Sequence, residues 1–268
     1  MGNATPSLSP GSILLLGAGR MGGALVRGWL EAGAFAASEL MVRDPAAAGD
    51  ALKAGSINPA DKDLAAAKVV VLSVKPQIWR DAFAAIVPHL APDAIVVSIA
   101  AGVRLADIEA AANGRRVARV MPTTGVAIGK GVASIFAQDR EARTAAHRLF
   151  DPVAATVDLD DEALMDAATA VSGSAPAYLY AFIEALEAAG ADAGLDADAA
   201  RTLARKTIIS AAALMDASGE DPAELRRQVT SPGGTTAAAL DVLMGEGGFP
   251  VLLEKAVAAA IRRSKELG

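Results

Sequence analysis

The chain has 268 residues, 53% of them hydrophobic but only 4% aromatic, so its core must be built from Ala, Val, Leu and Ile. At roughly 150 residues per domain this length implies two domains. A net charge of -6 and a sequence pI of about 5.0 speak against the broad basic face that a nucleic-acid partner requires. The absence of cysteine removes disulfides and thiolate chemistry from consideration and fits a cytoplasmic protein.

Met1–Gly11 has neither a basic start nor a long apolar stretch, and reads as a polar tail rather than a signal peptide. Ser12–Leu16 is a compact apolar run ending in glycines, and Met21–Ala32 follows with helical spacing that sets Leu25, Trp29 and Leu30 on one side. Leu40–Val42, Val69–Val74 and Ala94–Ile99 are further short apolar runs. Val117 to about Val157 continues with strands around one helix near Asp139–Phe150. Continuous apolar strands separated by helical segments predict a parallel sheet covered on both faces.

After about Asp158 the strand-like runs stop. Leu164–Val171, Ala177–Ala189, Asp198–Ser218, Pro222–Gln228, Thr236–Met244 and Leu252–Leu267 read as helices, broken at Gly190, Gly219, Pro232-Gly233-Gly234 and Gly247-Gly248. The segment Ala177–Ala189 is apolar nearly all round, so it is expected to be buried, with a second subunit as one way to bury it. No apolar stretch approaches the roughly 20 residues needed to span a bilayer, so no membrane partner is expected. The fold class is therefore α/β: a Rossmann-type parallel-sheet domain over residues 1–159, then an all-helical domain over 160–268.

Gly17-Ala18-Gly19-Arg20-Met21-Gly22 matches G-x-G-x-x-G directly between a strand and a helix, the context that makes this pattern informative. Gly17 suits the tight turn, Gly19 a close approach of backbone to a pyrophosphate, and Gly22 close helix–strand packing. The following helix start offers N–H groups to the phosphates. A ligand-free glycine turn is the plainer reading. In Val42-Arg43-Asp44, Arg43 stands where it can fork onto a 2′-phosphate, which favours NADPH over NADH; simple solvated loop charges are the alternative. Ser73-Val74-Lys75-Pro76 and Ala100-Ala101-Gly102 end two strands and are expected to face the cofactor, because ligands bind outside the carboxyl ends of parallel strands. Lys75 could equally face solvent.

Two turns in the helical half look specialised: Ser172-Gly173-Ser174-Ala175-Pro176 and Val229 through Thr236. Each breaks one helix and starts another, with Ser or Thr expected at an N-cap. Exposed N–H groups at such helix starts can take a carboxylate. Ordinary capping would explain either turn alone, but two beside a dinucleotide fold favour substrate binding. The acidic run Asp158, Asp160, Asp161, Glu162 fits helix capping better than a metal site, so no metal is expected.

In these motifs the chain resembles the pyrroline-5-carboxylate reductase family along nearly its whole length. The resemblance is carried by Val171 through Tyr178, Ile183-Glu184-Ala185-Leu186, Val229 through Thr236, Val74-Lys75-Pro76-Gln77, Ser98 through Gly102 and the closing Arg263 through Gly268. It implies a helical domain that forms a homodimer, with larger assemblies left open. It also implies hydride transfer from NADPH, or alternatively NADH, to the imine carbon of 1-pyrroline-5-carboxylate, giving L-proline. In such enzymes the threonine matching Thr236 bonds the imine nitrogen, Gly233-Gly234-Thr235 present N–H groups to the carboxylate, and the glutamate matching Glu162 lies near the substrate. The family usually has Gly at Ala175, Asn at Thr123 and Pro at Gly125. Ala175 therefore needs a backbone without positive φ, and Thr123 removes an amide beside the expected nicotinamide pocket. The alternatives are another imine or β-hydroxyacid reductase, for which Lys206 would be the acid, and a non-catalytic NADPH-binding protein. His89 and His147 lie outside every motif and read as surface or helix-end residues.

Overall fold

The computed structural model describes residues 12–267, so the expected polar tail at 1–11 lies outside the described residues. The chain forms two compact units, one of residues up to Gly173 together with those from Ala260 onward, the other Ser174–Ala259.

The first unit is built on one eight-stranded sheet. Its elements run β1 (Ile13–Leu16), α1 (Arg20–Glu31), β2 (Leu40–Arg43), β3 (Ser56–Ile57), β4 (Val69–Leu72), α2 (Trp79–Ala84), β5 (Ile95–Ser98), α3 (Leu105–Ala111), β6 (Val117–Pro122), β7 (Gly131–Phe136), α4 (Arg140–Phe150) and β8 (Ala154–Asp158). Across the sheet the order is β3-β2-β1-β4-β5-β6-β7-β8. The chain thus leaves β1 in one direction and crosses back to β4 in the other, which creates a switch point between β1 and β4.

The apolar runs are continuous because both sheet faces are covered. Ile13 and Leu15 join Leu25, Trp29 and Phe150 on one side. Leu14 and Leu16 join Trp79, Phe83 and Ile86 on the other. Period-two alternation within a run that is apolar throughout feeds two separate cores. Trp29 is anchored by its indole N–H on the Leu149 carbonyl at 2.7 Å and sits edge-on to Phe35.

The sheet departs from the expected parallel one at a single pairing, because β6 and β7 run antiparallel. The connection 123–130 between them is too short for the crossover that a parallel pair needs. The short β3 was not expected from sequence: two half-buried residues carry no periodicity. The strands end at Asp158, close to the expected domain limit of 159, but the chain stays with the sheet unit until Gly173. The reason is packing. Met165 is buried in the core on the α2–α3 side, and Ser264 donates to Asp166 at 2.5 Å.

The expected helix 164–171 is instead composite. A 3₁₀ turn (Glu162–Leu164) leads to α5 (Met165–Ala168) and then to a π turn (Thr169–Gly173). Thr169 and Ser172 hydroxyls bond back to the Met165 and Ala168 carbonyls, competing with the regular ladder.

The second unit holds α6 (Ala175–Asp192), α7 (Ala197–Ser218), α8 (Pro222–Gln228), α9 (Thr235–Leu243) and the first part of α10 (Phe249–Leu267). Gly190 does not break a helix as expected but lies within α6, where an added Cβ would come within 3.3 Å of the Ala200 Cβ. It permits close approach of α7, and α6 ends instead before Gly194, whose φ is +101°. The expected burial of the 177–189 segment is not met within the chain: no residue of α6 is buried. Among the described residues of this unit, Ala200 and Ala204 are the buried ones.

Candidate active site

The glycine loop sits at the switch point. Gly17 has φ +93°, and a Cβ there would lie 2.7–2.8 Å from Val74 and the Ser73 backbone. Gly22 is held by proximity, since a Cβ on it would stand 2.4 Å from the Gly17 carbonyl oxygen. A Cβ on Gly19 would meet nothing within 4 Å. Gly17 and Gly22 are therefore glycines for internal packing, whereas Gly19 is bare toward open space, the place where a pyrophosphate can approach. Gly19 caps α1 without any side-chain hydrogen bond, so the helix start keeps N–H groups for a ligand. Arg20 is exposed there, and Met21 packs against the sheet core.

At the end of β2, Asp44 is not the simple solvated charge of the alternative reading. Its Oδ2 accepts the Ala18 N–H at 2.6 Å and its Oδ1 accepts the Ala46 N–H at 2.7 Å. Asn58, at φ +50°, pins the Asp44 backbone through two hydrogen bonds, at 2.9 and 3.0 Å. The Arg43 guanidinium donates to the Pro59 carbonyl at 2.5 Å and to Asp61 Oδ1 at 3.0 Å. Asn58, Pro59 and Asp61 went unnoticed in the sequence. The Asn-Pro dipeptide was the available signal, a turn marker that carries no indication of what the turn holds.

Next to the glycine loop, the buried Ser73 hydroxyl has no hydrogen-bond partner among the described residues. Lys75 is exposed. Ala100 and Ala101 lead into Gly102, which takes φ +77° at the end of β5. A glycine cradle, free helix N–H groups, a carboxylate and a guanidinium at the neighbouring strand end, and an unspent hydroxyl together suit a dinucleotide.

Glu162 accepts the Leu105 N–H at 2.6 Å, at the start of α3, and forms an ion pair with the buried Arg119. It lines a cavity of about 520 Å³ with Gly102, Arg104, Arg119, Asp166 and Ser264. Asp161, beside it, caps the 3₁₀ turn by accepting the Ala163 N–H. Thr123 spends both polar groups on Val132: its N–H donates to that carbonyl and its hydroxyl accepts that N–H. At Gly125 a Cβ would lie 2.6 Å from the Lys130 carbonyl oxygen, so the 123–131 loop closes more tightly than any side chain there would allow.

In the helical unit, Gly233, Gly234, Thr235 and Thr236 lie together where α9 begins, with Gly233 at φ +72°. The residue capping α9 is Gly234, not the expected Thr, and Ser174 caps α6. Neither cap makes a side-chain hydrogen bond; the Gly234 N–H donates to the Ser231 carbonyl and the Ala177 N–H to the Ser174 carbonyl, each at 3.0 Å. Ala175 keeps a negative φ, as its side chain requires. Lys206 is exposed on α7, in a stripe with Leu203 and Leu214.

The sheet order, the switch point and the glycine loop define a dinucleotide-binding oxidoreductase fold of the Rossmann type. The comparisons sharpen this. Residues 12–102 match the family model for NADP oxidoreductase, coenzyme F420-dependent, and residues 162–267 match that for pyrroline-5-carboxylate reductase dimerisation. The chain is 39% identical to the pyrroline-5-carboxylate reductase of Pseudomonas aeruginosa, covering 97% of this chain and 98% of that protein. It is 38% identical to that of Pisum sativum, covering 94% of each. Among solved structures, the Coxiella burnetii pyrroline-5-carboxylate reductase superposes with a TM-score of 0.86 at 29% identity, covering 96% of this chain and 98% of that one. The Plasmodium falciparum pyrroline carboxylate reductase with NADP bound does so with 0.84 at 28%, with the same coverage. A 3-hydroxyisobutyrate dehydrogenase of Mycobacterium tuberculosis, at 16% identity and a TM-score of 0.52, shares the fold alone. The chain belongs to the pyrroline-5-carboxylate reductase family.

Proposed function

We propose that this protein reduces 1-pyrroline-5-carboxylate to L-proline, the last step of proline biosynthesis, with NADPH as the donor and NADH as the alternative. The observation that carries the reading is a built glycine loop and an uncapped Ser-Pro-Gly-Gly-Thr-Thr helix start in one chain, aligned with such reductases over 97% of its length.

NADPH supplies a hydride to the imine carbon; the C=N π pair moves onto nitrogen, which also takes a proton. The protein's share is to bind and orient. The loop Gly17 through Gly22 and the strand ends at Ser73 through Pro76 and Ala100 through Gly102 hold the dinucleotide, and Arg43 meets its 2′-phosphate. At the start of α9 the backbone N–H groups of Gly233, Gly234 and Thr235 hold the substrate carboxylate, the Gly234 N–H turning from the Ser231 carbonyl, to which it donates at 3.0 Å, with helix polarity favouring the anion. The Thr236 hydroxyl, one position further, fixes the imine nitrogen. Ser174 contributes at the start of α6. Glu162 acts through its two partners, steadying α3 and Arg119 behind the Ala100-Ala101-Gly102 turn.

The helical unit pairs with that of a second copy, giving a homodimer. Leu179, Tyr180, Ile183, Ile208 and Ile209 on α6 and α7 form the apolar recess that the second copy covers. The lack of cysteine suits a reducing cytoplasm.

The test is steady-state oxidation of NADPH with 1-pyrroline-5-carboxylate, repeated with NADH, and mass-spectrometric identification of proline. Turnover with NADPH is expected. A folded protein that binds NADPH yet forms no proline would overturn the substrate assignment.

A further inference from the structure

The end of β2 carries two groups of opposite charge, and a third residue restrains one of them. The Asp44 carboxylate is fixed by the Ala18 and Ala46 N–H groups. That places a hydrogen-bond acceptor where an unmodified ribose diol would donate. The Arg43 guanidinium is the group able to fork onto a 2′-phosphate. Its two terminal nitrogens, however, already donate, one to the Pro59 carbonyl and one to the Asp61 carboxylate. Asp61 is exposed, has its other oxygen 3.7 Å from His89 Nε2, and with Arg43, Pro45, Asn58, Pro59 and Ala60 lines an open recess.

We infer that Asp61 sets the choice between phosphorylated and unphosphorylated dinucleotides by holding Arg43 in an ion pair that a 2′-phosphate must share. A phosphate arriving at Arg43 shares a guanidinium whose charge is already partly neutralised and sits beside the Asp61 negative charge. A 2′-hydroxyl held by Asp44 does neither. Asp61 is thus a positioning residue acting through Arg43, and it narrows the advantage that Arg43 gives to NADPH. This inference rests on the reading of the chain as an NAD(P)H reductase.

The size of the effect follows from exposure. The side chains of Arg43 and Asp61 are 33% and 50% exposed, so the pair is well solvated and modest in strength. Its removal is expected to change affinity about fivefold.

The test measures dissociation constants of 2′,5′-ADP and 5′-AMP by calorimetry for the unaltered protein and for Asp61→Asn, Asp61→Ser and Asp63→Asn. Thermal unfolding checks the fold of each. Asp63 is an exposed acid two residues away and controls for net charge. Both Asp61 variants are expected to bind 2′,5′-ADP about fivefold more tightly with 5′-AMP unchanged. The NADPH-to-NADH ratio of kcat/KM should rise in step through KM, and Asp63→Asn should leave both ratios in place. An unchanged 2′,5′-ADP to 5′-AMP ratio in the Asp61 variants, or an equal rise in Asp63→Asn, would overturn this role for Asp61 alone. Failure of the unaltered protein to bind either nucleotide would overturn the reductase reading and this inference with it.

Discussion

In the sheet unit Trp29, Phe83 and Phe150 are fully buried, whereas in the helical unit Leu179, Tyr180, Ile209, Leu214, Val242 and Leu252 are exposed. The two units differ in how their apolar side chains are covered. A parallel sheet with helices on both faces closes two cores within one chain. A set of helices in which Gly190 packs against Ala200 and the buried residues are Ala200 and Ala204 covers little of its own surface. An apolar face of this extent is an interaction surface. One unit is therefore complete by itself, and the other is expected to be finished by a second copy.

The strongest way to break that comparison is Ile209→Asp. Ile209 is 61% exposed in the single chain and lies in the α6–α7 recess. If a partner helix covers it, the substitution buries an unpaired carboxylate at a cost of several kcal/mol. The expected outcome is a shift from dimer to monomer in sedimentation velocity and near-complete loss of turnover, with 2′,5′-ADP binding by the sheet unit retained. An unchanged dimer would show that this face is not the interface. The helices of this unit were largely legible from spacing and breakers, apart from the break expected at Gly190, which lies within α6. Their burial was not, because an all-round apolar helix predicts that something covers it without saying whether that something is in the same chain.

Gly22→Ala probes the self-sufficient unit. The new methyl would press on the Gly17 carbonyl at 2.4 Å and on Ser73 Oγ at 3.0 Å. Overpacking of this kind costs about 1–3 kcal/mol, which corresponds to roughly tenfold or more in NADPH affinity with a lowered Tm. The measurement is nucleotide titration beside thermal unfolding. Wild-type affinity would mean that the loop is more yielding than its contacts imply. This part of the site was legible because glycine positions report backbone geometry directly, and the flanking strand and helix fixed which geometry. What the neighbouring Asp44 holds was not legible, because its partners, Ala18 and Asn58, lie 26 and 14 residues away in sequence. Nothing in a local pattern reveals a carboxylate spent on a distant N–H.

Thr236→Ala moves the comparison to chemistry in the helical unit. Thr236 follows the uncapped start of α9, so its hydroxyl is not consumed by capping. Loss of one orienting group is expected to lower turnover about tenfold to hundredfold, with NADPH affinity unaltered because the dinucleotide loop belongs to the sheet unit. Equal losses in both would remove Thr236 from the assigned role. The Ser-Pro-Gly-Gly-Thr-Thr segment was found by resemblance and not by physics. Small residues at a helix start are equally consistent with plain capping, and only the observed lack of a side-chain cap separates the two.

The smallest expected effect concerns the rim of the sheet unit, at the end of α4 beside β8. His147 Nδ1 lies 2.9 Å from Asp151 and its Nε2 3.1 Å from Asp158, while Arg143 approaches Asp158 at 3.9 Å. Burial by itself would lower the pKa of this imidazole, but hydrogen bonds to both carboxylates and their charges outweigh it and raise the pKa above the ordinary 6.5. A raised value means that the folded state holds the proton more tightly than the unfolded chain does. The stabilisation is then complete below about 6.5 and fades as pH rises through the folded value. His147→Gln should lower Tm at mildly acidic pH, by less than about 1 kcal/mol in stability because the site is partly solvated, and should converge with the unaltered protein at alkaline pH. A difference that grew with pH would mean the neutral imidazole is the form that holds α4 to β8. In either case the dimer should persist, since the ion cluster lies in the unit that closes its own core.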